Sequence, residues 1–411
     1  MTQNDSMTNH KTFQGEGPLK GLRVVELGML FAGPLVATNL ADLGAEVIKI
    51  EHPKGDVVRG LGQGKTSLWW SVVARNKKLV AVDVKKPEGA DVIRKLLEKA
   101  DVFIENFRPG RVKEWGLDYD SLRKTNPGLV VLHVSGYGQT GPYSARPGVG
   151  TLAEAFSGYA HVTGEADGPP TLPSYPLADG VAALTATYAV LAALWARERN
   201  GGIGDEIDIS LYEPLLSMTG PMLINYTKGG VIARREGNRA RWSTPRNTYR
   251  TKDDRWIAVS SAADSPAMRL FRAIGREDLA DNPDWATNRE RLKRVDECDG
   301  MIADWMLKHT QAEVMERLSR FDVLAAPVND VETIVKDRHV QERGTVVSIP
   351  DPVLGDTPVQ EVVPRFRNAP GRINWLGKHE VGTETRDFLE EAGFAHDDIM
   401  ALHQRGIVKA A

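Results

Sequence analysis

The sequence predicts an α/β protein with a large Rossmann-like domain around a parallel sheet and a second, smaller α+β domain. Three observations carry that expectation. Strand-like and helix-like patterns alternate through the first 134 residues, the order that builds parallel sheets with covering helices. Near residue 228 the composition changes to Gly, Arg, Asn and Pro, which reads as a linker into a different domain. A chain of 411 residues also exceeds what one hydrophobic core usually supports.

In order, residues 1–20 are polar, without an apolar run and poor in arginine, so they read as a disordered lead-in of a cytoplasmic protein rather than a signal peptide. Residues 22–27 form a short apolar strand, 35–43 a helix closed by Gly44, and 46–50 a second strand. That is a βαβ unit. The spacing of Gly28 and Gly33 does not match the dinucleotide fingerprint, which argues against NAD. The run 60–66, Gly-Leu-Gly-Gln-Gly-Lys-Thr, imitates a phosphate loop, but Arg59 stands where its first glycine belongs and the strand before it ends near Ile50. It reads as a surface loop. Further strands are expected at 78–83, 101–105 and 129–134, with a helix at 88–99.

The stretch 176–184, Pro-Leu-Ala-Asp-Gly-Val-Ala-Ala-Leu, opens an apolar run that reaches Trp195 without another charge. Its alanines predict a buried helix, and the run is too short to cross a bilayer, which needs about 20 apolar residues. Asp179 is expected at the N-cap, where unpaired amides and the positive dipole end favour its ionised form. A strand at 206–211 and a helix at 211–226 follow, then the linker at 228–254. Beyond it come a strand at 256–260 and helices at 267–274, 295–308 and 311–320. The last segment has strands near Val346 and Val362 and a helix at 384–392.

Composition excludes several functions. A net charge of -3 and no compact basic block speak against a nucleic-acid partner. One cysteine, Cys298, rules out an internal disulfide framework, and nine scattered histidines offer no closed zinc site. No metal is expected. No Gly-x-Ser-x-Gly elbow is present, and Cys298 lies in a charged helical segment suited to a structural role.

With these features the chain resembles the class III CoA-transferases of the CaiB/BaiF type, which include formyl-CoA transferase and carnitine CoA-transferase. The resemblance covers nearly everything after Pro18. Its marks are 22–27 with Ala32-Gly33-Pro34, the run 43–51, Asn76-Lys77-Lys78, Glu105-Asn106-Phe107-Arg108-Pro109-Gly110 and 135–142. Further marks are Asp179, 191–194, 208–211, Asn282-Pro283 and Thr287-Asn288-Arg289. It implies a large domain built from both chain ends, residues 21–227 and 331–411, a small domain at 228–330, and an interlocked homodimer.

The resemblance makes Asp179 the nucleophile that carries acyl and CoA groups in turn, with a CoA thioester as substrate, a small carboxylic acid as acceptor and no tightly bound cofactor. Gly136 and Gly138 are candidate oxyanion donors, and Gln139 completes the catalytic set. The CoA contacts it implies are Phe31, Ala32, His52, Asn106, Phe107, Ser135 and Gly136. Phe31, His52, Glu114, Trp115 and Gln139 depart from formyl-CoA transferase, which points away from formate and oxalate. The racemase branch of the family needs a histidine where this chain has Val149, and His161 lies too far along to replace it. The rival outside enzymes is a CoA-binding module without catalysis, expected if Asp179 proves remote from any pocket. Arg234, Arg235, Arg239, Arg241 and Arg246 in the linker suggest a clamp for a second carboxylate, hence a dicarboxylic acceptor.

Overall fold

The computed structural model describes residues 17–62 and 66–410. Most of the expected lead-in, and Gln63, Gly64 and Lys65 of the phosphate-loop imitation, lie outside the described residues. Residues 18–21 form a turn whose Leu19 N–H donates to the Leu43 carbonyl at 2.9 Å, so the described end of the expected lead-in is ordered. The chain divides into two compact units: residues 1–159, 173–220 and 344–411 in one, 160–172 and 221–343 in the other. The expectation drew the switches at 228 and 331 and did not separate 160–172.

The first unit is organised by six parallel strands: β1 (Arg23–Leu27), β2 (Glu46–Glu51), β3 (Lys77–Ala81), β4 (Val102–Glu105), β5 (Val130–Ser135) and β6 (Glu206–Ser210). Their order is β3-β2-β1-β4-β5-β6. Buried on both faces, the inner strands read as near-continuous apolar runs, which is why they were visible in the sequence. Successive residues face opposite layers. Val24 packs with helices α1 (Ala32–Asp42) and α3 (Leu177–Arg197), whereas Val25 packs with Val92, Ile93, Phe388, Leu389 and Ile399. The helices Thr385–Glu391 and His396–Gln404 thus bring the C-terminal part of the chain onto the second face.

The strand order reverses direction between β1 and β4. In open α/β sheets, the crevice beyond the strand ends at such a switch point is where ligands bind.

The single helix expected over 211–226 is two, Tyr212–Met218 and Met222–Gly229, because Gly220 (φ 62°) and Pro221 interrupt it. Val362 lies beyond a hairpin, Val346–Asp351 with Gly355–Gln360, rather than in a strand. Helix α3 is 21 residues long and, by length and composition, could cross a membrane, which corrects the expectation that the run is too short. Its residues Ala178, Ala182, Ala183, Ala186, Val190 and Ala193 are buried, while Leu184, Tyr188 and Trp195 are each more than 60% exposed.

The second unit holds an antiparallel sheet of β7 (Arg246–Arg250), β8 (Trp256–Ser260) and β9 (Ala325–Pro327). Strand β7 falls inside the stretch that composition marked as linker. Helices Asp264–Ala273, Val295–Met306 and Gln311–Arg320 share its core through Leu270, Phe271, Ile302, Val314 and Leu318. Cys298 is fully buried in that core, and burial pushes its thiol up to about 12. A protonated buried thiol is a packing residue and not a nucleophile.

Candidate active site

The crevice at the switch point is a cavity of about 670 Å³ lined by residues 29–32, 106–108, 134–136, 148–151, 154, 173–176, 179 and 211. All belong to the first unit. Six chain segments leaving strand ends or entering helices meet there.

The turn between β1 and α1 is held from three sides. Lys49 Nζ donates to Glu26 Oε1 and to the Gly28 carbonyl, both at 2.8 Å. Lys77 Nζ donates to Glu26 Oε2 at 2.8 Å and to the Pro34 carbonyl at 2.7 Å. These three side chains are fully buried, and Asp56 adds a second acid 3.0 Å from Lys49. Burial pulls the Lys77 ammonium down to about 8 against the attraction of Glu26, with Lys49 adding to the fall. From across the crevice, Asn106 Oδ1 accepts from Met29 N and its Nδ2 donates to Met29 O, each at 2.7 Å. Gly33 makes room for this clasp, since a Cβ there would lie 3.3 Å from Asn106 Cβ. The turn so fixed carries Leu30 in the left-handed region at φ 61°, a strained conformation that only the surrounding bonds sustain.

Beneath Asn106, Glu105 Oε2 accepts from Phe107 N at 2.7 Å, and its other oxygen lies 2.5 Å from His133 Nδ1. The Glu-Asn-Phe motif is therefore a turn stabilised by its own first residue.

Asp179 is not the N-cap of α3. That position is Pro176, which offers no side-chain cap, and Asp179 is the third residue of the helix. Glu154, on the short helix α2 (Gly150–Phe156), takes the capping role: its Oε1 accepts from Ala178 N at 3.2 Å. The expected net effect of the helix head is also reversed. Burial first, then the charge of Glu154, push the Asp179 carboxyl up to about 6, although the amides of Ala32 and Asp179 pull the other way. Gly150 is required here, because a Cβ on it would stand 2.0 Å from Asp179 Oδ2. Gly136 and Gly148 pack backbone to backbone, a Cβ on Gly136 falling 2.5 Å from Gly148 Cα.

Of the residues singled out in the sequence, the cavity brings together Asp179, Phe31, Ala32, Asn106, Phe107, Ser135 and Gly136. It does not include Gly138, Gln139 or His52 among its lining residues. The Gly138 amide, an expected donor, is engaged with Ser135 Oγ at 3.1 Å, and the Gln139 amide donates to Asp208 Oδ2 at 2.8 Å, both bonds closing the turn after β5. His52 follows β2, where its Nδ1 accepts from Lys54 N at 3.0 Å. Sequence reasoning missed Glu154, Gly148, Gly150 and the Met29-Leu30 turn.

No histidine lines the cavity among the described residues, and none of them form a cluster of three or more His, Cys, Asp or Glu able to hold a metal. The linker arginines are largely occupied within the second unit. Arg239 pairs with Asp296 and Asp299, Arg241 with Glu236, Arg246 binds the carbonyls of Asn238 and Arg239, and Arg235 those of His161 and Gly168. Arg108, by contrast, is exposed on the cavity wall.

A half-buried carboxylate with a raised pKa, flanked by backbone amides in a cavity of ligand size, is suited to covalent chemistry. Comparison with known proteins agrees on the family. A model described as CoA-transferase family III matches residues 19–380. The succinyl-CoA–D-citramalate CoA-transferase of Chloroflexus aurantiacus is 38% identical over 95% of this chain and 98% of its own. The succinyl-CoA:glutarate CoA-transferase of Homo sapiens is 31% identical over 85% and 80%. Among solved structures, a CAIB/BAIF family protein from Brucella suis superposes with a TM-score of 0.81 at 29% identity, covering 92% of this chain and all of that one. A match spanning most of the sequence, joined to transferases similar along nearly their whole length, shows that this chain belongs to CoA-transferase family III.

Proposed function

We propose that the protein moves CoA from an acyl-CoA thioester to a small dicarboxylic acid through covalent intermediates on Asp179. The observation that carries this reading is the Asp179 carboxylate itself, set in the cavity with its pKa raised to about 6. At neutral pH it is ionised, yet less stabilised than an ordinary aspartate, and so is a better nucleophile.

The steps balance without a net proton. An Asp179 oxygen attacks the thioester carbon, the C–S bond breaks, and CoA leaves as thiolate from a mixed anhydride. The thiolate attacks the aspartyl carbon and expels the donor acid as carboxylate, leaving an aspartyl-CoA thioester. The acceptor carboxylate attacks that carbon, forming a second anhydride and freeing the thiolate again. Attack of the thiolate on the acceptor acyl carbon yields the new CoA ester and restores Asp179. No step calls for a metal or a redox cofactor.

Each attack builds an oxyanion, which needs amides already in place. The Gly136 amide at the end of β5 is the donor in this scheme, while the Ala32 amide at the head of α1 bonds the Asp179 carboxylate and holds the nucleophile. Gly138 is set aside because its N–H is engaged. Phe31, Phe107 and Ser135 supply the wall along which CoA lies. The dicarboxylic acceptor is supported by the acids in the relatives' names, D-citramalate and glutarate, and Arg108 is the exposed cation of the cavity wall suited to a second carboxylate. It no longer rests on the linker arginines.

The homodimer belongs to the same proposal. Leu184, Tyr188 and Trp195 leave one side of α3 apolar and exposed, a surface of the kind that a second copy covers.

The test is a screen of succinyl-CoA and other acyl-CoA donors against mono- and dicarboxylic acids, with CoA ester products read by mass spectrometry. Transfer to dicarboxylic acids is expected. Binding of CoA without transfer to any acid would return the protein to a binding module.

A further inference from the structure

The scheme above leaves one buried acid of the cavity without a task. Glu154 is 2% exposed, on the face of α2 that meets α3, and it lines the same cavity as Asp179. Its Oε1 caps the Ala178 amide at 3.2 Å. Capping needs only an acceptor oxygen, which a glutamine would provide at the same size. Burying a charge for that purpose costs free energy that a neutral side chain avoids. The cap therefore explains the position of Glu154 but not its charge.

We infer that Glu154 is a positioning residue that holds a second negative charge against the nucleophile, so that repulsion between the two carboxylates is relieved when Asp179 is acylated. This rests on the reading of Asp179 as nucleophile. The anhydride and thioester forms of Asp179 are uncharged, whereas free Asp179 is an anion beside Glu154. The repulsion thus raises the starting state more than the intermediate, which favours the covalent step. Gly150 lets the Asp179 carboxylate settle directly against α2.

Other charges do not cancel the pair. Helix α1 contributes no charge in its first turn, its one acid being Asp42 at the far end. Helix α3 has only Arg197 at its far end, bound to Asp101. The helix Tyr212–Met218 brings Tyr212 and Glu213, the latter bonded to Ser210 Oγ. The remaining titratable groups of the wall are Arg108 and Tyr175, both exposed. The upward displacement of the Asp179 carboxyl, in which Glu154 ranks after burial, accords with this geometry.

Glu154→Gln tests the inference because it keeps the acceptor for Ala178. The readout is the pH dependence of the first step, the release of CoA thiol from succinyl-CoA in a single turnover, compared with the unaltered protein. The variant should show its acidic limb shifted down by about one pH unit and release thiol about tenfold more slowly at neutral pH, with KM for succinyl-CoA within about twofold. Glu154→Ala, which also removes the cap, should share the shift and lose thermal stability. A Glu154→Gln protein whose acidic limb stays in place, whatever its rate, overturns the inference and leaves Glu154 as a cap. Asp179→Asn, run alongside, separates the two readings: if it still releases thiol, the nucleophile assignment fails, whereas an inactive Asp179→Asn with an unmoved Glu154→Gln profile sinks the role of Glu154 alone.

Discussion

At the scale of single residues, the site works against the stability of the chain. The folded-state pKa of Asp179, about 6, lies above the value of 3.8 for a free aspartate. The folded form therefore binds the proton more tightly, so the contribution of this group is favourable at low pH and is lost as pH rises through 6. Above pH 7 the ionised carboxylate costs about 3 kcal/mol. Asp179→Asn should raise the denaturation midpoint at pH 8, with the gain shrinking toward pH 4, while abolishing transfer. Urea titrations at the two pH values measure this, and equal midpoints for the two proteins at pH 8 would contradict it. Gly150 gives a second prediction at this scale. Adding one methyl group 2.0 Å from Asp179 Oδ2 must displace the carboxylate, and a displacement near 1 Å costs on the order of 100-fold in rate. Gly150→Ala should lose about that much of kcat with an unchanged circular dichroism spectrum; a fully active variant would show that the carboxylate does not react from this position.

Among elements, the turn between β1 and α1 shows what a sequence can and cannot reveal. The strands and α1 were legible because buried parallel strands are apolar runs and Gly44 ends the helix. The motif around Asn106 was legible as a site, but a motif names a side chain and not its partner. Both ends of the Asn106 amide go to Met29, so in the proposed scheme it holds the turn from which the Ala32 amide reaches the Asp179 carboxylate. Asn106→Ala should accordingly lower kcat by about tenfold while KM for acyl-CoA changes little. Steady-state kinetics decide this, and a rise in KM alone would make Asn106 a direct CoA ligand. The buried pair of lysines on Glu26 was equally hidden, since Lys49 and Lys77 sit on different strands and only the parallel register of β1, β2 and β3 brings them together. Lys77→Met leaves Glu26 with one lysine and should cost about 3 kcal/mol in denaturant unfolding. Helix α2 escaped notice because seven residues, Gly-Thr-Leu-Ala-Glu-Ala-Phe, carry no side-chain cap and too few turns to show a period. With it went Glu154 and the fact that Asp179 stands inside the first turn of α3.

For the whole molecule, the strand order explains why residues from six distant segments meet. The reversal between β1 and β4 opens the crevice, and α1 and α3 pack on one face with their first turns at its edge. That the C-terminal helices cover the other face could not be read from local pattern, because nothing near residue 390 names its partner strands. The exposed side of α3 predicts a stable dimer. Sedimentation at micromolar concentration should show twice the chain mass, and a folded monomer would remove the explanation for Leu184, Tyr188 and Trp195. The claim on which all of this depends is that Asp179 becomes covalently loaded. The most direct measurement is to incubate the protein with succinyl-CoA, quench with hydroxylamine and map the modified peptide by mass spectrometry. The account predicts a hydroxamate on Asp179 and none in Asp179→Asn; an unmodified Asp179 in protein that is turning over would contradict it.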